Sequence, residues 1–169
     1  MGPNETDAQA DLPLVVDVDG TLLPTDLLYE SFWAAAGHSI RGALMAVLGH
    51  WTAPARLKRR LLEIARPEVE LLPYRGAVLE LCLAARAQGR SVHLASAADQ
   101  SLVDMLADRF GLPGPHFGSD GTVNLKGEAK ARLLTGRFGA GGYDYIGNGR
   151  ADLPSWRGAR RRIAVGPGR

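Results

Sequence analysis

The chain has 169 residues with 20 Lys and Arg against 18 Asp and Glu, a net charge of +2, which is too small to argue for a nucleic-acid partner. Hydrophobic residues make up 46% and charged residues 22%, the balance of one globular domain that buries about two thirds of its unfolded surface. A single cysteine, Cys82, excludes an intrachain disulfide and a Cys-based zinc site, and the polar opening MGPNETDAQADLP lacks the apolar core of a secretion signal, so a cytoplasmic setting is expected.

In chain order, residues 1–11 read as a disordered lead-in and Leu12 to Val18 as the first strand. This strand ends in acid: Asp17 and Asp19 fall where a buried Leu/Val-rich strand meets its loop, the place where open α/β sheets bind ligands. Asp17, Asp19 and Thr21 have part of a calcium-loop spacing, but the glycine is at the fourth rather than the sixth position and the twelfth is Leu28, so calcium is set aside. A plain hairpin turn at Asp19-Gly20 is also disfavoured, since Pro24 leaves a second strand only from Thr21 to Leu23.

After Pro24, Thr25 can cap a helix starting at Asp26, and Gly37 is expected to close it. Two further helical stretches follow, about 39–49 and 54–65. The apolar region from Phe32 to Trp51 is interrupted by His38, Arg41 and His50, which argues against a membrane span. Some 50 residues of helix exceed what a crossover needs, so 24–73 is read as an inserted helical subdomain, with 12–23 and 74–169 as the core. There the spacing predicts helix 76–88, strand 91–95, helix 99–110, a strand and loop within 113–123, helix 127–138, strand 143–146, a short helix 151–158 and strand 162–165. Such alternation implies an α/β fold: a doubly wound, Rossmann-like parallel sheet with helices on both faces.

The strand ends offer Asp17 and Asp19, then Ser96, then Gly147, Asn148 and Asp152, with Lys126 opening the helix before the fourth strand. Two carboxylates, a hydroxyl, a lysine and an acidic loop suit phosphoryl transfer through an aspartyl phosphate: one carboxylate attacks, and a second moves the proton. Mg²⁺ with oxygen ligands, a lysine and backbone amides would offset the repulsion between carboxylates and phosphate.

DVDGTLL, Ser96, Lys126-Gly127-Glu128 and GNGRAD at 147–152 resemble, in order and spacing, the four motifs of the haloacid dehalogenase-like hydrolases. The helical insertion is similar to the small cap of their phosphoserine-phosphatase-like branch. NLKG, YDYIGN and RADLPSWRGARR resemble a bacterial branch whose hydrolase domain is often fused to a UbiA-type membrane prenyltransferase. The resemblance, over about 12–166, implies a Mg²⁺-dependent phosphomonoester hydrolase acting on a phosphorylated small molecule, a polyprenyl-linked or a sugar phosphate. The alternative is a catalytically weak or inactive partner module of a membrane prenyltransferase, brought to the membrane through that partner. By position, it makes Asp17 the nucleophile and Asp19 the acid and base. Gly20, Thr21, Ser96, Ala97 and Lys126 would bind phosphate, Lys126 being preferred to its rival Lys130 for its Lys-Gly-Glu setting. Asp17, Asp19, Asn148 and Asp152 would hold the metal, although many relatives have Asp in place of Asn148, which implies weaker metal binding. In the insertion, Trp33, Trp51 and the run Ile40 to Leu48 are expected to pack within the cap rather than line a lipid pocket. Arg56, Lys58, Arg59 and Arg60 are expected to form a solvated face.

Overall fold

The computed structural model describes residues 12–166; the lead-in expected at 1–11 lies outside them. Five strands, β1 (Leu14–Val16), β2 (Val92–Asp99), β3 (Phe117–Ser119), β4 (Asp144–Gly147) and β5 (Arg161–Ala164), form a sheet ordered β3-β2-β1-β4-β5. All neighbours run parallel. β1 is central and wholly buried, which its run of Leu and Val requires. Leu14 stands in register with Val92 on one side and Asp144 on the other. β2 runs past the expected end at Ala95, because β3 continues to pair as far as Asp99 through an irregular register.

Between β1 and the rest of the sheet lie α1 (Leu27–His50) and α2 (Pro54–Ile64), then a 3-10 turn at Val69–Leu71. The start and the break of α1 differ from expectation. Asp26, not Thr25, is the N-cap, accepting from the Leu28 N–H at 2.8 Å, and the Thr25 hydroxyl donates to Glu30 instead. The helix does not stop at Gly37. Its backbone leaves helical geometry at Ser39 (φ −155°, ψ 96°), where the hydroxyl accepts from the Gly42 N–H at 3.1 Å and so caps the second half. Ala35, Ala43 and Ala46 of α1 pack on Leu57 and Leu61 of α2, giving this helical hairpin its own small core.

α3 (Gly76–Ala87) and α4 (Gln100–Arg109) cover one face of the sheet, where Leu14, Val16, Leu94 and Ile146 meet Val78, Cys82, Leu102 and Leu106. α5 (Glu128–Phe138) and α6 (Leu153–Gly158, entered through a 3-10 turn at Arg150–Asp152) cover the other, where Val15, Ala95, Tyr143 and Tyr145 meet Leu134 and Trp156. Alternate strand residues thus serve opposite cores, as a two-residue period demands.

Asp144 is fully buried at the start of β4. It accepts from Arg90 at 2.7 Å and from Arg160 at 2.9 and 3.0 Å. Burial works to raise its pKa, but the two guanidiniums outweigh it and hold the carboxyl below its usual range. Its contribution is therefore present above the ordinary carboxylate pKa and is lost as pH falls through the depressed value. Asp144→Ala should destabilise the fold by about 3 kcal/mol at neutral pH, read as a lower urea midpoint, with the gap from the parent narrowing as pH is lowered.

Candidate active site

β1 and β4 are neighbours at the point where the sheet's winding reverses, so the loops leaving their carboxyl ends open a crevice between them. Asp17 leaves β1 and its N–H still donates to Ile146 O of β4 at 2.9 Å. The backbone ladder therefore fixes the nucleophile candidate before any side chain does.

Asp17 is 6% exposed and Lys130, on the first turns of α5, is 4% exposed. Lys130 Nζ lies 2.5 Å from Asp17 Oδ1. The same ammonium donates to the Tyr145 hydroxyl at 3.1 Å, which donates to Asp152 Oδ1 at 2.7 Å. Asp152 Oδ2 accepts from the Asn148 and Gly149 N–H groups at 2.9 and 3.2 Å. One connected network thus runs from β1 through α5 and β4 into the loop after β4. Burial is the main influence on Asp17 and raises its pKa; Lys130 opposes this, the Asp152 charge adds to it, and the carboxyl is pushed up to about 6. Burial also raises Asp19, against the hydrogen bonds it accepts.

These contacts correct several expected roles. Lys126 lines the crevice but is exposed; Lys130 makes the ion pair with Asp17. A helical side chain leans toward its helix N-terminus, so Lys130, inside α5, reaches back to the end of β1, while Lys126 precedes the helix. Ser96 is fully buried; its hydroxyl donates to Asp19 Oδ2 at 2.7 Å and accepts from Ala98 N–H at 2.8 Å, so it holds Asp19 rather than facing a ligand. Thr21, equally buried, donates to Asp17 Oδ2 at 2.9 Å. Both oxygens of Asp152 accept hydrogen bonds from within the protein, as both oxygens of Asp17 do, and so Asp152 also orders Tyr145 and the loop. Asp19 Oδ1 accepts from Leu27 N–H at 2.8 Å, at the positive N-terminus of α1.

Gly20 and Asn148 are tied sterically. Gly20 has φ +76°, and a Cβ there would lie 2.1 Å from Asn148 Nδ2; only glycine lets the two loops meet. Gly147 is similar: a Cβ would come within 2.6 Å of the Asp152 carboxyl. Ala97 lines the crevice, and its carbonyl accepts from Lys58 and from Ser119.

Lys58, Asn124 and Tyr145 are the residues that sequence reasoning left out of the site. Lys58 belongs to α2 yet is 8% exposed, donating to Ala97 O at 2.5 Å and Asn124 Oδ1 at 2.8 Å. Burial lowers its pKa, while Asp19 and Asp26 act to raise it. The alternation of Tyr143 and Tyr145 along β4 marks Tyr145 as buried, but its hydroxyl partners come from distant segments. Of the other basic residues on α2, Arg59 pairs with Asp99 at 2.7 Å and Arg60 with Glu63 at 2.7 Å. Trp33, Trp51, Ile40, Leu44 and Leu48 neither line the crevice nor pack inside the hairpin; they are exposed.

The crevice encloses about 330 Å³ between these groups, with Asp26 and Lys58 on the α1–α2 side. No cluster of three His, Cys, Asp or Glu side chains suited to a metal ion occurs among the described residues. The oxygens available are the Asp17 carboxylate, the Asn148 amide and the Asp19 backbone carbonyl, a hard-donor set that suits Mg²⁺ when waters and a phosphate complete the shell.

No family model matches the chain. It is 37% identical over 157 residues to the uncharacterized protein y4nM of Sinorhizobium fredii, covering 93% of this chain and spanning about 30% of that protein's length. Among solved structures, a phosphoserine phosphatase described as a phospho-aspartyl intermediate analogue aligns at TM-score 0.61 and 17% identity, over 91% of this chain and 86% of that one. A protein of unknown function from Bordetella pertussis Tohama I aligns at TM-score 0.64 and 18% identity, over 91% and 89%. A phosphoserine phosphohydrolase-like protein from Francisella tularensis aligns at TM-score 0.58 and 18% identity, over 90% and 86%. The chain therefore has the Rossmann-like core fold of the haloacid dehalogenase type.

In metal-free protein, carboxyl NMR should find Asp17 titrating near pH 6, well above an exposed aspartate. Lys130→Met should move its midpoint higher still, because the opposing positive charge is gone; an unchanged midpoint would place the ammonium elsewhere in solution.

Proposed function

We propose that this domain is a phosphomonoester hydrolase that works through an aspartyl phosphate on Asp17. The observation that carries the reading is the buried Asp17–Lys130 pair at the switch point of the sheet, with a second, independently held carboxyl at Asp19. An ion pair this deep is costly to build, and Lys130 has a use there beyond stability: it offsets charge when a phosphate approaches a carboxylate.

In the first half-reaction Asp17 attacks phosphorus as the bond to the leaving oxygen breaks. Asp19 gives its proton to that oxygen. Its raised pKa favours the protonated form, and the Ser96 hydroxyl can donate to the carboxylate or accept from the acid. In the second, Asp19 takes a proton from water, the hydroxide attacks phosphorus, and the aspartyl bond breaks. Lys130 is anchored by Tyr145 throughout. Asp17, Asn148 and the Asp19 carbonyl would hold Mg²⁺, which would supply further positive charge against the phosphate oxygens. The α1–α2 hairpin acts as the cap, and Lys58, with a third N–H to spare, presents its charge to the anionic side of a substrate. The small crevice, with carboxylates, lysines and amides among its lining, favours a sugar-like over a prenyl-like leaving group.

A second reading, a weakly active or inactive module beside a membrane prenyltransferase, is favoured by one observation: Asn148 supplies an amide where a carboxylate would bind metal more strongly. Phosphate release from an aryl phosphate separates the two. The hydrolase reading expects Mg²⁺-dependent turnover that falls at least about 10³-fold in Asp17→Asn, about 10²-fold in Lys130→Met and less than about threefold in Lys126→Ala. Turnover that survives Asp17→Asn would sink it. Asn148→Asp should lower the Mg²⁺ concentration needed for half-maximal rate; parent protein without turnover, paired with an active Asn148→Asp variant, would instead establish the weak-module reading.

A further inference from the structure

The second half of α1, after the Ser39 break, carries a face that nothing in the fold covers. Ile40, Leu44, Met45, Leu48 and Trp51 are each at least half exposed. At 100° per residue, Ile40, Leu44, Leu48 and Trp51 fall within an arc of roughly 80°, while Ala43 and Ala46 turn inward against α2. The arc is aliphatic along its length and ends in tryptophan at the start of the link to α2.

The charge along this stretch of the sequence has one sign. No acidic residue occurs between Glu30 and Glu63, whereas Arg41, Arg56, Lys58, Arg59 and Arg60 do. Lys58 is buried in the crevice, and Arg59 and Arg60 are paired with Asp99 and Glu63. Arg41 beside the stripe and Arg56 in the first turn of α2 are exposed, with His38 and His50 at the two ends of the half-helix. An apolar ridge with cations at its border and no carboxylate matches the region between lipid acyl chains and anionic headgroups, and tryptophan prefers that depth. Among the described residues no helix is long and apolar enough to cross a membrane, so the face would lie on the surface.

We propose that residues 40–51 dock the chain on an anionic lipid surface, with Ile40, Leu44, Leu48 and Trp51 entering the interface and Arg41 and Arg56 meeting headgroup phosphates. The ridge is built from α1 alone and stands apart from the crevice, so docking leaves the crevice residues in place.

The test is flotation of the full chain with vesicles of equal parts phosphatidylcholine and phosphatidylglycerol, against vesicles of phosphatidylcholine alone. Binding should be at least about tenfold stronger to the anionic vesicles, and should fall at least about tenfold in the double variant Leu48→Ser, Trp51→Ser. Arg41→Gln with Arg56→Gln should remove most of the preference for anionic lipid while circular dichroism shows the helices intact. Failure to float with either vesicle overturns the proposal, as does equal binding to both. So does a parent chain that sediments as a dimer while Leu48→Ser, Trp51→Ser sediments as a monomer, which would make a second copy the occupant.

Discussion

The buried contact between Asp17 and Lys130 is the constraint around which the other parts are arranged. A lone carboxylate or ammonium at that depth would neutralise rather than bear its desolvation; here each has the other as partner, with the hydroxyls of Thr21 and Tyr145 beside them. The pair spans the sequence, joining the first strand to α5 across 113 residues, so it can form only once the central strand and the helix on the far face are both in place. The balance is uneven. Burial and Asp152 raise Asp17 to about 6 despite Lys130, so the ionised form is held less firmly than in an exposed aspartate. The stabilising share of this group is full below the ordinary carboxylate range and fades as pH rises toward the raised value. A site that strains to hold its negative charge gains by receiving a cation.

Asn148 belongs to the same balance. Its N–H donates to Asp152 and its side chain rests over Gly20, so the residue braces the loop whether its side chain ends in an amide or a carboxylate. A carboxylate there would be a further negative group beside Asp17, Asp19 and Asp152 in a crevice with two buried lysines, Lys58 and Lys130. The amide lowers that repulsion in the resting protein and, by the same change, weakens attraction for a divalent ion. Stability of the fold and affinity for a divalent ion are therefore opposed at this one position.

The fold was legible because its signals are local. Apolar runs of strand length, helical spacing and glycine or proline punctuation located every strand, and the acid ending of β1 marked the crevice. The errors arose where tertiary geometry decides. Lys126 and Lys130 are one helical turn apart and differ in sequence only by their neighbours; which of them meets Asp17 depends on where α5 starts and on the lean of its side chains. Ser96 and Thr21 stand at strand ends as phosphate-binding hydroxyls would, and in the structure both donate to the carboxylates beside them, a pairing the sequence does not show. The cationic run on α2 read as a solvated face, and Arg56, Arg59 and Arg60 are exposed as expected; only Lys58 turned inward and entered the crevice.

Those placements explain why the two helices of the insertion differ in character. α2 is fastened to the core end of β2 by Lys58 on Ala97 O and by Arg59 on Asp99, while Arg56 and Arg60 remain exposed. α1 is held by its alanines against α2 and by the capping of its N-terminus near Asp19, which leaves the opposite side of its second half without a structural duty. In a helix whose only task is to cover a crevice, surface positions would be filled with polar side chains at no cost to packing. Here they are Ile, Leu, Met and Trp, residues that carry a solubility penalty when left in water. These exposed side chains crowd the half-helix beyond the Ser39 break, with Tyr29 and Trp33 also exposed before it, so the insertion combines an edge that lines the crevice with an apolar edge left in water.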